Sequence, residues 1–374
     1  MNEIINLFAI DFTDSVSILE SSGVYFGALI ICITSCFGVK ALIHYYQRAG
    51  RVDVPNQRSM HHIATPTGAG IVVISFLLLG VLYLTVNLRS TEFMAIAVVL
   101  FMLAFIGWRD DKNNLSVRSR MFSFVLLSLI LVMPVGVIDG ISLGSAGIFY
   151  FPYLVAVLLT VLGFIWLLNL YNFMDGMDGL AASQTIIASA SFIILFTDIA
   201  LFRNHFFDEV VYGSSMAFLC GILLAATAGF MVWNWSPAKI FLGDVGSLPM
   251  GGFFAICTII AVRKLDVSLL SCILILGVFV FDASYTLIAR LLRGEKVTEA
   301  HRSHIYQRLA NIGVSHLRIV TVYAIKMLLS SSAAVLWELR LINGLLAGLL
   351  GCISVIFALL WVQWLERSES RLNH

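Results

Sequence analysis

The sequence predicts an all-α integral membrane protein, a polytopic bundle of about eleven transmembrane helices with the N-terminus outside and the C-terminus inside. Three observations lead there. The 374 residues are 60% hydrophobic and only 12% charged, whereas soluble domains carry roughly a quarter charged residues. Apolar stretches long enough to cross a hydrocarbon layer recur along the whole chain, as a spanning helix requires about 20 such residues. Lys and Arg are concentrated in alternate links between those stretches, the asymmetry that marks the cytoplasmic side.

The expected spans run 23–45, 68–87, 92–108, 120–136, 150–168, 179–200, 211–233, 246–262, 268–290, 316–336 and 342–364. Helix is the default for each, because a backbone in lipid must satisfy its own amides. The alternating pattern of a membrane barrel is absent. The odd-numbered links and the C-terminal tail hold most of the link cations, among them Arg48, Arg58, Arg109, Lys112, Lys239 and Arg293. The even links hold only Arg89, Arg203, Arg263, Lys264 and Arg340. The first twenty residues contain four acids and no Lys or Arg, so no signal peptide is expected. The chain reads as one membrane-embedded domain over 1–374.

The net charge of +1 points to no particular partner, and no nucleic acid is expected. All six cysteines fall within apolar spans without CxxC spacing, and read as small buried apolar residues.

The polar residues gather on the odd links. These carry RVDVPNQRSMHHIATPTGAG (51–70), GWRDDKNNLSVRSR (107–120), NLYNFMDGMDGL (169–180), WNWSPAKIFLGDVGS (233–247) and RLLRGEKVTEAHRSHIYQRLANIG (290–313). A transport path would place polar groups at mid-membrane depth. A one-sided collection predicts a reaction surface at the cytoplasmic boundary. Asp110 and Asp111 are adjacent, Asp175 and Asp178 would share a face if helical, and Asp244 sits in a Gly-rich turn. One such pair alone would read as a solvated loop. Three clusters on one side would repel without a cation, and oxygen donors lacking thiolates suit Mg²⁺ or Mn²⁺. His61 and His62 read equally as an ordinary interfacial pair. His301, Arg302 and His304 form a dense basic block suited to a diphosphate. His205 and His316 stand alone and read as bystanders, Lys326 takes no role, and Asp282 could support the site from within the ninth span.

Together these blocks resemble the polyprenyl-phosphate N-acetylhexosamine-1-phosphate transferases, the superfamily of WecA and MraY, and within it the WbpL-like branch. The matching stretches are DVPNQRSMHHIATPTGAG, the pair at 110–111, NFMDGMDGLA, WNWSPAKIFLGDVGS and HRSHIYQRL, in family order over residues 53 to 309. The resemblance implies that undecaprenyl phosphate attacks the β-phosphate of a UDP-N-acetylamino sugar at the bacterial inner membrane, releasing UMP in the first step of O-antigen or related glycan synthesis. It implies Mg²⁺ held by Asp244 with Asp111, and the pair Asp110 and Asp111 placing metal and lipid phosphate. It places Asn172, Asp175, Asp178, Asn234 and Phe241 around the nucleotide, with Lys239 nearby. It puts catalytic His301 and His304, with Arg302, at the sugar and diphosphate, and Asp53 and Arg58 in the first substrate-binding block. MraY carries a lysine near the TPT segment and three consecutive histidines in its last loop. This chain reads HHIATPT and HRSHIYQ, which sets it apart from a muramyl-pentapeptide transferase. The alternatives are that enzyme, a nucleotide-sugar or ion transporter, and a silent scaffold. A homodimer is left open.

Overall fold

A computed structural model describes residues 22–49, 64–142, 147–198, 207–296 and 301–353, with 360, 362 and 363. Its long helices are α1 (Ser22–Arg48), α2 (Gly70–Leu88), α3 (Thr91–Asn113), α4 (Val117–Val135), α5 (Tyr153–Met174), α6 (Leu180–Asp198), α7 (Phe207–Asn234) and α8 (Asp244–Lys264). The short α9 (Leu269–Ile275), α10 (Gly277–Leu292) and short α11 (Ile305–Asn311) then lead to α12 (His316–Glu338). Among the described residues nine helices are long and apolar enough to span a bilayer, or ten if α9 and α10 count as one bent span.

α8 is the axis of the bundle, with 94% of its apolar window buried. It is apolar almost all round, the mark of a helix enclosed by others. Gly251 and Gly252 let α5 and α3 lie close against it, since a Cβ there would meet the Leu167 carbonyl and a Leu103 methyl. The larger apolar core draws on every long helix. The outer faces of the surrounding helices stay apolar and uncovered, with Met133 87%, Leu154 79% and Leu292 83% exposed. Surfaces of that kind belong against lipid tails.

Three expected spans differ from the structure. The stretch 268–290 is not continuous: α9 and α10 meet at an 86° bend. A break in lipid survives only where freed backbone groups find partners, and here they do. Ser330 Oγ donates to the Leu274 carbonyl at 2.6 Å, and Gln184 Nε2 to the Ile275 carbonyl at 3.0 Å. At the other end of α9, Glu338 accepts from Ser268 N at 3.1 Å and Ser271 Oγ at 2.6 Å. The stretch beginning at 150 enters helix only at Tyr153, because Ile148–Tyr150 (β2) pairs antiparallel with Gly140–Ser142 (β1). The last stretch is helical over Gly344–Ile353, too short to span by itself, and its remainder lies largely outside the described residues. The cysteines are free, but Cys352 is exposed and Cys32 and Cys36 are only partly covered.

Candidate active site

The odd links meet at one end of the bundle. Link 66–69 lies beside the residues that precede α8: Phe241 N donates to the Pro66 carbonyl at 2.8 Å, while Gly68 and Ala69 amides donate to the Phe241 carbonyl at 3.1 and 3.0 Å. Asn234 staples the fifth link to the seventh, accepting from Gly179 N at 2.9 Å and donating to the Ile240 carbonyl at 3.0 Å.

The site is built on the N-terminus of α8, whose first amides lack partners within the helix. Asp111, from the last turn of α3, supplies them. Its Oδ1 accepts from Asp244 N at 2.9 Å and its Oδ2 from Val245 N at 3.1 Å. α3 can come this near because residue 107 is glycine, where a Cβ would overlap the Asp244 carbonyl. Asp110 turns away from its neighbour. It is buried, and accepts Arg120 Nη1 and Leu115 N, each at 2.6 Å. Arg120 lies 3.9 Å from Asp244 as well, so one guanidinium serves two acids. Asp244 Oδ1 accepts Asn172 Nδ2 at 2.6 Å, and that amide also reaches Ser247 Oγ at 3.2 Å.

Asp175 follows the last residue of α5 and faces the same cluster. Burial pushes its carboxyl well above the ordinary carboxylate range, and the charges of Asp244 and Asp111 push it further, against a bond from the Gly243 amide. Negative charge is thus in excess around Asp111, Asp175 and Asp244.

The helical relation expected between Asp175 and Asp178 does not hold. Helix α5 ends at Met174, and Gly179 takes φ +72°, a conformation open to glycine. Asp178 therefore turns toward the seventh link, accepting Ala238 N at 3.1 Å with His316 Nδ1 at 3.9 Å. Burial alone would raise its carboxyl, but bonds from His316 and the Ala238 amide bring it below the ordinary value. His316, read from sequence as a bystander, thus partners a site acid. Lys239 is exposed, with its ammonium 5.0 Å from the Trp233 ring centroid.

The ninth link arrives through His301 and His304, whose rings lie 5.0 Å apart. His301 is pushed down to about 4 by burial and by the neighbouring His304 and Arg290. His304 is buried, with Nδ1 3.2 Å from Asp282 Oδ1. Tyr306 donates to the Phe173 carbonyl at 3.0 Å, tying this link to the end of α5. Arg290 pairs with Glu295 at 2.8 Å instead of Asp282. Arg302 is partly buried beside the two histidines in sequence. Asp53, Arg58, His61 and His62 lie outside the described residues.

Arg120, His316 and Tyr306 were not read as site residues from sequence. Arg120 lay inside an expected span, and the other two carry no local signal of a long-range partner. No three His, Cys, Asp or Glu side chains among the described residues form a ready metal cage. Mg²⁺ commonly takes one or two carboxylates and completes its shell with water and phosphate. Asp244, Asp111 and Asp175 are all of the donor class that fits it: Asp111 accepts two amide protons and Asp244 Oδ1 accepts from Asn172, and each such oxygen keeps a second lone pair.

Comparison with known proteins agrees with this architecture. A family model, Glycosyl transferase family 4, matches residues 93–262. The chain is 31% identical over 301 residues to a Bacillus subtilis protein named "Probable undecaprenyl-phosphate N-acetylglucosaminyl 1-phosphate transferase", covering 77% of this chain and 78% of that one. It is 29% identical to a Mycobacterium tuberculosis decaprenyl-phosphate N-acetylglucosaminephosphotransferase, over 74% of this chain and 72% of the relative. It is 34% identical to a Chlamydia muridarum phospho-N-acetylmuramoyl-pentapeptide-transferase, over 52% and 61%. Fold and relatives define the class, a multi-pass membrane transferase. Within that class, the chain belongs to the polyprenyl-phosphate N-acetylhexosamine-1-phosphate transferase superfamily.

Proposed function

We propose that the protein transfers an N-acetylamino-sugar 1-phosphate from a UDP-sugar to undecaprenyl phosphate, yielding undecaprenyl-diphospho-sugar and UMP. The observation that carries this reading is the convergence of Asp111, Asp175 and Asp244 at the N-terminus of α8, at one end of a lipid-facing bundle. The concentration of Lys and Arg in the links at that end supports a cytoplasmic orientation and hence access to nucleotide sugars at the inner membrane.

An oxygen of the lipid phosphate attacks the β-phosphorus, the bond to the UMP oxygen breaks, and UMP leaves with the electron pair. A phosphate monoester has a second pKa of about 6, so the nucleophile is already largely dianionic at neutral pH. The protein has little proton to remove and must instead bring two anions together. Mg²⁺ or Mn²⁺, with Asp244 and with Asp111 or Asp175 as protein ligands, would supply the charge neutralisation that phosphoryl transfer requires. Asp111 keeps the α8 terminus and the Asp244 backbone in place. Arg120 steadies Asp110 and Asp244. Phe241, half-buried in the seventh link, offers a ring on which uracil stacks, and Lys239 adds an exposed cation at the rim. His301, Arg302 and His304 close the sugar-diphosphate side. An apolar cavity of about 340 Å³ beside the α9–α10 bend, lined by Trp166, Leu167, Ile259, Leu276 and Val280, has the chemistry for part of an isoprenoid chain.

Initiation of O-antigen or a related envelope glycan is the reading that the departures from the muramyl-pentapeptide pattern support. The test is to incubate the detergent-purified protein with undecaprenyl phosphate and a panel of UDP-N-acetylamino sugars, then weigh the lipid product. A mass gain of one sugar phosphate with release of UMP is expected. Label crossing proteoliposomes without lipid product would replace this reading with transport, and product only from UDP-muramyl-pentapeptide would move the chain to the peptidoglycan branch.

A further inference from the structure

The buried acid Asp282 has no part in the steps above. It lies in α10 with 1% of its surface exposed, at a depth where a carboxylate is costly without partners. It has them in number. Oδ1 faces His304 Nδ1 at 3.2 Å, Ile305 N at 3.0 Å and Thr286 Oγ1 at 3.4 Å. Oδ2 accepts Tyr323 OH at 2.6 Å and Tyr306 N at 3.3 Å. Lys326 is buried one turn beyond Tyr323 on α12.

An acid that only capped α11 would need the two backbone amides and nothing else. This one also takes the ring of His304. The contact is satisfied by the tautomer in which Nδ1 of His304 carries the proton and donates to the carboxylate. The ring plane is held from other sides too. Tyr306 stacks on it with centroids 5.8 Å apart and 19° between planes, and Phe173 lies 5.9 Å away. Both neighbours are joined by the Tyr306 bond to the Phe173 carbonyl. His304 also takes part in the capping box at the start of α11, where Gln307 Oε1 accepts from His304 N at 3.3 Å. With Nδ1 turned to Asp282, Nε2 lies on the far side of the ring from that carboxylate, an arrangement that presents the second nitrogen in one direction.

We propose that Asp282 is a positioning residue for the transfer reaction: it holds His304 through Nδ1 and leaves Nε2 for the bound sugar-diphosphate. This rests on the function proposed above, because it gives His304 a substrate to meet. Asp282 itself touches no substrate.

The test combines a mutant cycle with a spectroscopic one. Asp282→Asn, His304→Ala and the double variant are assayed for lipid-linked sugar. Losing a partner that orients a functional histidine typically costs about 10- to 100-fold. Asp282→Asn is expected to lower kcat by that much, with KM for the UDP-sugar within about threefold, and to cost nothing further in the His304→Ala background. An equal loss in both backgrounds, or no loss, overturns the proposal in favour of a capping role. Nitrogen NMR of histidine-labelled wild-type protein, with His304 assigned by its absence in His304→Ala, needs neither activity nor a folded Asp282 variant. Protonation at Nδ1 is expected, and a ring protonated only at Nε2 overturns the proposal. A wild type that makes no lipid product with any donor would remove the proposed function, while the tautomer measurement would still decide the Asp282–His304 contact.

Discussion

The two ends of the bundle both carry charge, but they use it differently. At the end bearing the β1–β2 hairpin, two simple ion pairs join a cation to an acid. Arg263 meets Asp139 at 3.4 Å, and Lys264 meets Glu92 at 2.9 Å. At the other end, Asp110 and Asp244 share Arg120, and Asp175 is driven toward its neutral form by burial and further by its acidic neighbours. Balanced pairs fasten helices together. An excess of buried carboxylate is unfavourable unless something positive arrives, and under the function proposed above a cation would arrive with its diphosphate.

That contrast can be broken experimentally, and the largest effect belongs to Asp244. Asp244→Asn removes one oxygen donor at the centre of the acid cluster. A loss of at least about 1,000-fold in lipid-linked sugar formation is expected, on the scale of removing a principal electrostatic group from an active site, with the protein still inserted and monodisperse. Activity within tenfold of wild type would mean that the acid excess is not the reaction centre. Chelation by EDTA comes next. It is expected to abolish turnover, and Mg²⁺ or Mn²⁺ to restore it. Full activity after exhaustive dialysis against chelator would count against a metal at the acids.

Smaller effects are expected away from the cluster. His316→Gln, at the start of α12, removes one partner of Asp178, so KM for the nucleotide sugar is expected to rise by about three- to tenfold, with kcat little changed, comparable to losing one charge-assisted hydrogen bond. A fall in kcat alone would place Asp178 among the reacting groups. His301 is held neutral, with its folded value near 4 against an ordinary 6.5. Its contribution to stability is therefore full above about pH 6.5 and is lost as pH falls toward 4. Melting curves should show a decline over that window that is shallower in His301→Gln. The smallest effect is expected at the matched end. Arg263→Met removes a half-exposed ion pair, whose typical worth is below about 1 kcal/mol, and transfer is expected to stay within about twofold of wild type. A large loss of activity there would show that the two ends are coupled.

Most of the architecture was legible because membrane helices announce themselves locally. Ten of the eleven expected spans coincide with helical segments long enough to matter, counting the bent pair once. The bend at Leu276 was not legible, because its stability comes from Ser330, Ser331 and Gln184, which are remote in sequence. The site was legible as a set of motifs but not as a geometry. Asp110 and Asp111 look alike in a string of letters. In space one grips Arg120 and the other caps α8. Asp175 and Asp178 look like a pair, and the turn at Gly176 to Gly179 sends them to different partners.

By itself the sequence determined that this chain lives in a membrane, roughly where it crosses, and that its chemistry-bearing residues lie on alternate links. Apolar length and charge bias act through the bilayer, so they need no folded partner to be read. Only the tertiary structure decided which acids meet, because that depends on α8 threading the centre of the bundle and on side chains reaching across 60 to 133 residues to satisfy its terminus and the turns beside it.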